Sequence, residues 1–253
     1  MARSLGVDQG RRWMICGGAC ACLGLAVRGA AADPVADPRG RFRLDMVGSF
    51  RETMREGARA ARISAAALPA RGVWAVGPTE NLAGELTILD GTALVATLAH
   101  REVRVAEDRA AGAPFLVWAE VRGWVQRPLP PLADQRALEA HLATIAPAEG
   151  LDPDGPFPFL LTGRPAEVAW HVLGGPGRPQ GHGGGHGGGH GAGQPPLAGR
   201  AMTLVGFYSR RHEDVFTHRG EFSHIHLVTD DRALSGHVDA LTPGGGLALH
   251  LPA

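Results

Sequence analysis

The chain lacks lysine altogether: all 25 basic residues among its 253 are arginine. No ε-amine is available for a Schiff base, for anchoring pyridoxal phosphate or for a phosphate-binding loop. Cysteine is nearly absent as well, and its three copies, Cys16, Cys20 and Cys22, all fall within the first 32 residues. Once that segment is removed, no disulfide can hold the fold, and a side-chain metal site must be made from imidazole and carboxylate. Net charge is missing too, with 25 basic residues against 25 acidic ones. The basic surplus by which proteins hold nucleic-acid phosphate is not there. What the chain has instead is 12 histidines, 37 glycines and an apolar content of 44%, ordinary for a globular protein.

Residues 1–32 read as a cleavable secretory leader. Arg11-Arg12 precede an apolar stretch from Trp13 to Val27, and Ala30-Ala31-Ala32 stand before Asp33. That stretch contains Gly17 and Gly18 and falls short of the ~20 residues of a spanning helix. The paired arginines point to twin-arginine export, and the lack of a Ser or Thr before them leaves the general secretory route open. A periplasmic or secreted protein is expected. Removing the leader leaves 21 arginines against 24 acidic residues, a mature charge of about −3. Neither a nucleic-acid partner nor, after cleavage, membrane attachment is expected, and a homodimer stays open.

The mature chain reads as an N-terminal β-rich part with helices (33–173), a Gly/His-rich loop (174–198) and a C-terminal β part (199–253) of one compact unit. Residues 33–42 are expected as a loose leader and 43–68 as one or two helices. Glu85–Leu89, Asp90-Gly91 and Ala93–Ala96 form a hairpin signal, two β-rich runs about a tight-turn dipeptide. Residues 114–125 read as one strand. Asp134 caps a helix to Ile145 with Leu138 and Leu142 on one face. Residues 157–173 read as two strands about Gly163-Arg164-Pro165, and 202–208, 221–229 and 236–241 as the last clear strands. The fold class is α+β, with mixed or antiparallel sheets and a few helices.

The informative segment runs from Ser223 to His237. On a strand, His224 and His226 point to one face while Ile225 and Leu227 take the other. A turn centred between Asp231 and Arg232 sets His237 opposite His226, within reach across a strand pair. Three imidazoles then converge, and three protein ligands with one open position is the pattern of a catalytic zinc. Nickel, copper and iron suit the same ligands. Two solvent-facing histidines that happen to precede a third would give the same letters.

Several runs together resemble one family. Asn81-Leu82-Ala83-Gly84-Glu85 leads to Leu89-Asp90-Gly91, and Leu204-Val205-Gly206-Phe207 precedes the histidine segment. That segment is His224-Ile225-His226, Thr229-Asp230-Asp231, a glycine and His237. Over roughly residues 45–250 this is similar to bacterial α-acetolactate decarboxylase, a metal enzyme that converts acetolactate to acetoin and CO2. The resemblance implies that His224, His226 and His237 ligate the metal, with Zn2+ the default. It also implies that Glu85 stands beside the metal as proton donor and that the substrate is a small 2-hydroxy-3-oxo acid. Apart from the resemblance, a strand-end carboxylate in a surface salt bridge is the alternative reading of Glu85. The family's active-site arginine aligns with His171, and its C-terminal glutamate finds no counterpart after Leu247-Ala248-Leu249-His250. These departures keep a second function open, a non-catalytic periplasmic metal-binding protein on the same fold. His182, His186 and His190, spaced by glycines, either capture metal for that site or are a tolerated repeat in a surface loop.

Overall fold

The structure is a computed structural model that describes residues 34–174 and 192–253. The expected leader 1–32 with its cysteines, and His182, His186 and His190, lie outside the described residues.

Seventeen strands follow one another among the described residues. The first half carries β1 (Val35–Ala36), β2 (Phe42–Val47), β3 (Ile63–Ser64), β4 (Val73–Pro78), β5 (Gly84–Leu89), β6 (Thr92–Ala99), β7 (Glu102–Glu107), β8 (Gly112–Ala113), β9 (Leu116–Val121) and β10 (Trp124–Arg127). The second carries β11 (Phe157–Gly163), β12 (Glu167–Val172), β13 (Ala192–Gly193), β14 (Met202–Tyr208), β15 (Ser223–Thr229), β16 (Ser235–Thr242) and β17 (Leu247–Pro252). Among the described residues two α-helices, α1 (Phe50–Met54) and α2 (Gln135–Ile145), interrupt them. One sheet has the order β1-β2-β9-β4-β5-β6-β7 and a second the order β10-β17-β11-β14-β15-β16-β12-β13, with β3-β8 as a small pair. All strand pairs are antiparallel, as the α+β reading expects.

The β5–β6 hairpin forms as expected, with Leu89 opposite Thr92. Its turn needs positive φ at both central residues, which Asp90 (47°) and Gly91 (81°) adopt. Helix α2 begins where the cap predicts, the Asp134 carboxylate accepting the Ala137 N–H at 2.7 Å. Its Leu138 and Leu142 are fully buried.

Three local expectations are corrected. The 43–68 segment is mostly not helical. Phe42, Leu44 and Met46 are buried while Arg43 and Asp45 turn outward, a period of two that makes β2, and α1 spans only five residues. Residues 34–42 are no loose leader: β1 pairs with β2, and Asp37 binds both the backbone and the guanidinium of Arg41. The run 114–125 is two strands, because Arg122-Gly123 carries the chain out of the first sheet and β10 joins the second. Strands β11 and β12, neighbours in sequence, are separated in the sheet by β14, β15 and β16. Strand β5 crosses β15 and β16 between the two sheets. Helix α2 holds the start of β15, through Glu139 accepting from Ser223 Oγ (2.6 Å) and Phe222 N (3.0 Å).

Candidate metal centre

Strand β15 is buried along its whole length, so its two histidines are not a solvent-facing pair on a surface strand. The β15–β16 register sets His226 directly opposite His237, as the turn position requires. His224, His226 and His237 each offer a nitrogen within 4.8 Å of the others, and all three are buried. Their ring centroids lie 5.0, 5.0 and 5.5 Å apart. Three imidazoles on one tetrahedral ion at 2.0–2.1 Å would have centroids about 5.2 Å apart, so the cage already has that size.

The residues present fit a metal on a second count. Among the described residues, His224 Nδ1 and His226 Nε2 are buried side-chain nitrogens without a hydrogen-bond partner. Such orphaned atoms cost free energy unless something unshown satisfies them. Burial is the main cause that holds all three imidazoles below their ordinary pKa, and neighbouring histidines add to it. His226 is pushed down to about 3. The cluster is therefore neutral near pH 7, with lone pairs available to a cation.

The other sheet supplies the surroundings. On β5, Glu85 and Thr87 are two apart and share the face that meets the histidines. Glu85 Oε2 is 3.8 Å from His226 Nε2, and Oε1 is 3.8 Å from His171 Nε2. Burial raises the Glu85 carboxyl well above the usual range, against one bond from the Leu173 N–H. Glu85 is thus a buried residue of the site and not a surface salt-bridge carboxylate. Thr87 Oγ1 shares a 2.9 Å hydrogen bond with His226 Nδ1 and accepts from Ser235 Oγ at 3.2 Å. That contact leaves His226 Nε2 on the side of Glu85.

His171 lies opposite His237, and its Nδ1 bonds Asp239 Oδ1 at 2.6 Å. A β-bulge makes this pair. Ala169 faces Ala240 and Trp170 faces Val238, which leaves Asp239 outside the register and re-aimed at His171. Gly236 lets the strands approach: a Cβ there would sit 2.5 Å from the His171 carbonyl oxygen. Sequence reasoning missed Asp239, Thr87 and His218. His218, on the 209–222 loop, brings Nε2 to 3.2 Å from His237 Nε2. Phe50, Met54, Pro78, Phe115 and Leu173 complete a cavity whose free volume is about 20 Å³, room for one water-sized occupant. No arginine lines it among the described residues, and Arg164 donates instead to Gly199 O at the surface.

Two stacked antiparallel sheets with a histidine cage between them define the class of protein. The particular likeness comes from solved structures. A Staphylococcus aureus protein of unknown function similar to α-acetolactate decarboxylase matches with a TM-score of 0.61 at 16% identity, over 81% of this chain and 83% of that one. α-Acetolactate decarboxylase from Bacillus subtilis strain 168 matches with a TM-score of 0.58 at 14% identity, over 81% and 82%. The enzyme from Bacillus subtilis subspecies spizizenii gives 0.59 at 14%, over 82% and 84%. No family model and no curated protein matches the sequence. The fold is acetolactate-decarboxylase-like, a relation of fold at low identity. No described helix is long and apolar enough to cross a membrane.

Proposed function

We propose that this protein is an exported, metal-dependent carboxy-lyase acting on a small 2-hydroxy-3-oxo acid, with acetolactate the first substrate to test. The observation that carries the reading is the cage of three buried, neutral imidazoles with a buried carboxylic acid 3.8 Å from one of them. His224, His226 and His237 would hold the ion, zinc by preference. A divalent ion there supplies a Lewis acid for the hydroxyl and carbonyl oxygens of the substrate.

The chain's own groups do the rest. Loss of CO2 breaks the bond between the carboxylate and the α-carbon and leaves the electron pair on that carbon, delocalised into the adjacent carbonyl. Glu85, kept protonated by burial, then donates its proton to carbon and recovers one from water. His171, oriented by Asp239, stands where the family resemblance places an arginine and takes the hydrogen-bonding role at that side of the cavity. Phe50, Phe115 and Leu173 keep bulk water from the carbanionic carbon.

The test uses mature protein loaded with zinc and measures acetoin and CO2 from acetolactate. Glu85→Gln should keep the metal and lose about 10²–10⁴-fold in turnover. No turnover in metal-replete wild-type protein would sink the decarboxylase reading. A specific observation favours a second reading, a non-catalytic metal-binding protein. The cavity is the size of one ion or water and no arginine lines it among the described residues. Stoichiometric metal with no turnover of any 2-hydroxy-3-oxo acid would favour that reading.

A further inference from the structure

A fourth imidazole reaches the cage from outside the two histidine strands. His218 sits on the loop between β14 and β15, which is held in place at several points. Phe50 N donates to Val215 O and Arg51 N to Asp214 O, Phe216 is buried, and Asp214 takes the guanidinium groups of both Arg55 and Arg219. Phe50 sets its ring edge-on to His218 at 4.4 Å. The His218 ring is 5.0 Å from His237 and 6.5 Å from His224.

The short distance is the one between His218 Nε2 and His237 Nε2, 3.2 Å. Two nitrogens on one tetrahedral ion at 2.0–2.1 Å are about 3.3 Å apart, so this pair is already spaced as two ligands of one ion. The bond it now makes cannot outlast metal binding through that His237 nitrogen. A lone pair given to a cation no longer accepts from His218, and two adjacent ring nitrogens then face the same cation. The nitrogens that already lie within 4.8 Å of one another are those of His224, His226 and His237, and the 6.5 Å from His218 to His224 exceeds the tetrahedral centroid spacing of about 5.2 Å, so the His218 ring must move inward to join them. It is the half-buried member of the cluster, on a loop and not on a ladder strand, so the movement asks for a side-chain adjustment and not for a change of strand register.

We propose that His218 is a fourth nitrogen ligand of the metal centre. The resting site is then a closed four-imidazole set, and the position a substrate oxygen needs opens only when His218 leaves. This rests on the metal centre described under the proposed function. It does not depend on the reaction assigned there.

The experiment counts ligands without using turnover. X-ray absorption on the zinc-loaded full-length protein should give four imidazoles. Cobalt(II)-loaded protein should show the strong visible absorption of a tetrahedral nitrogen site. His218→Ala should give three imidazoles and a water oxygen, and should weaken zinc in a chelator competition by roughly tenfold or more. If His218→Ala does not fold, His218→Phe keeps a ring against Phe50 without a ligand atom and is read the same way. Three imidazoles in the wild type, with zinc affinity unchanged in the variant, would overturn the proposal while leaving the metal centre intact. Failure of wild-type protein to bind zinc at all would overturn both.

Discussion

Thr87→Val isolates the link between the two sheets. Thr87 is fully buried on β5, yet its hydroxyl serves β15 and β16: it meets His226 Nδ1 at 2.9 Å and accepts from Ser235 Oγ at 3.2 Å. Valine has nearly the same shape, so the change opens no cavity. It strands two buried polar groups, the Nδ1 of His226 and the hydroxyl of Ser235. At about 1–3 kcal/mol for each buried group left unsatisfied, the cost is roughly 2–6 kcal/mol, or about 1–3 kcal/mol if Ser235 turns to another acceptor. The metal should feel the change separately, because Nδ1 then no longer fixes which nitrogen of His226 is turned to Glu85 and offered to the ion. Loss of such an outer partner lowers affinity by about 10–100-fold. Urea unfolding of the metal-free protein reads the first effect and a chelator competition for zinc reads the second. Thr87→Ser keeps the hydroxyl and should restore zinc affinity while losing about 1 kcal/mol for the missing methyl. Zinc binding in Thr87→Val as tight as in the wild type would refute the reasoning.

Three further expectations follow from the same geometry. Zinc binding at pH 6 should release less than about one proton from the three cage imidazoles, because imidazoles held below their ordinary pKa are already neutral; three ordinary histidines would release about 2.3. Calorimetry in buffers of different ionisation enthalpy measures this, and a release above two would contradict the assigned neutrality. Gly236→Ala puts a methyl 2.5 Å from the His171 carbonyl oxygen and 2.8 Å from Trp170 Cε3, so β16 must move off β12. A loss of about 1–3 kcal/mol in denaturant unfolding is expected, and a neutral result would mean that the sheet yields there freely. Asp239→Ala removes the carboxylate that orients His171; kcat on the substrate that turns over should fall by roughly tenfold with zinc content unchanged, and loss of zinc instead would make Asp239 a support of the cage.

The parts legible in the sequence were those fixed by short-range geometry. The β5–β6 turn and the His226–His237 pairing each depend on a turn of a few residues, and strand alternation then decides which side chains meet. Other parts hang on contacts between distant segments. Strand β17 fills a place between β10 and β11 that nothing local marks, and β7 alternates too weakly on a half-exposed edge to declare itself. The 43–68 stretch misleads because its alanines and arginines favour helix while Phe42, Leu44 and Met46 bury at a period of two. Within the site, His224, His226 and His237 sit on regular strands and could be read by parity, whereas Glu85 came only from the family resemblance. Asp239 depends on a bulge and His218 on an irregular loop, and neither has a period to read. Thr87 could have been found as the residue two after Glu85 on the same face.

The most direct measurement of the central claim is a titration of turnover with metal. Chelator-treated mature protein is given acetolactate and increasing zinc, and acetoin is followed. The account predicts no product without metal, a rise with zinc that saturates near one equivalent per chain, and no rise in a His226→Ala variant. Product formation that ignores zinc, or none at any zinc level in folded protein, would contradict it.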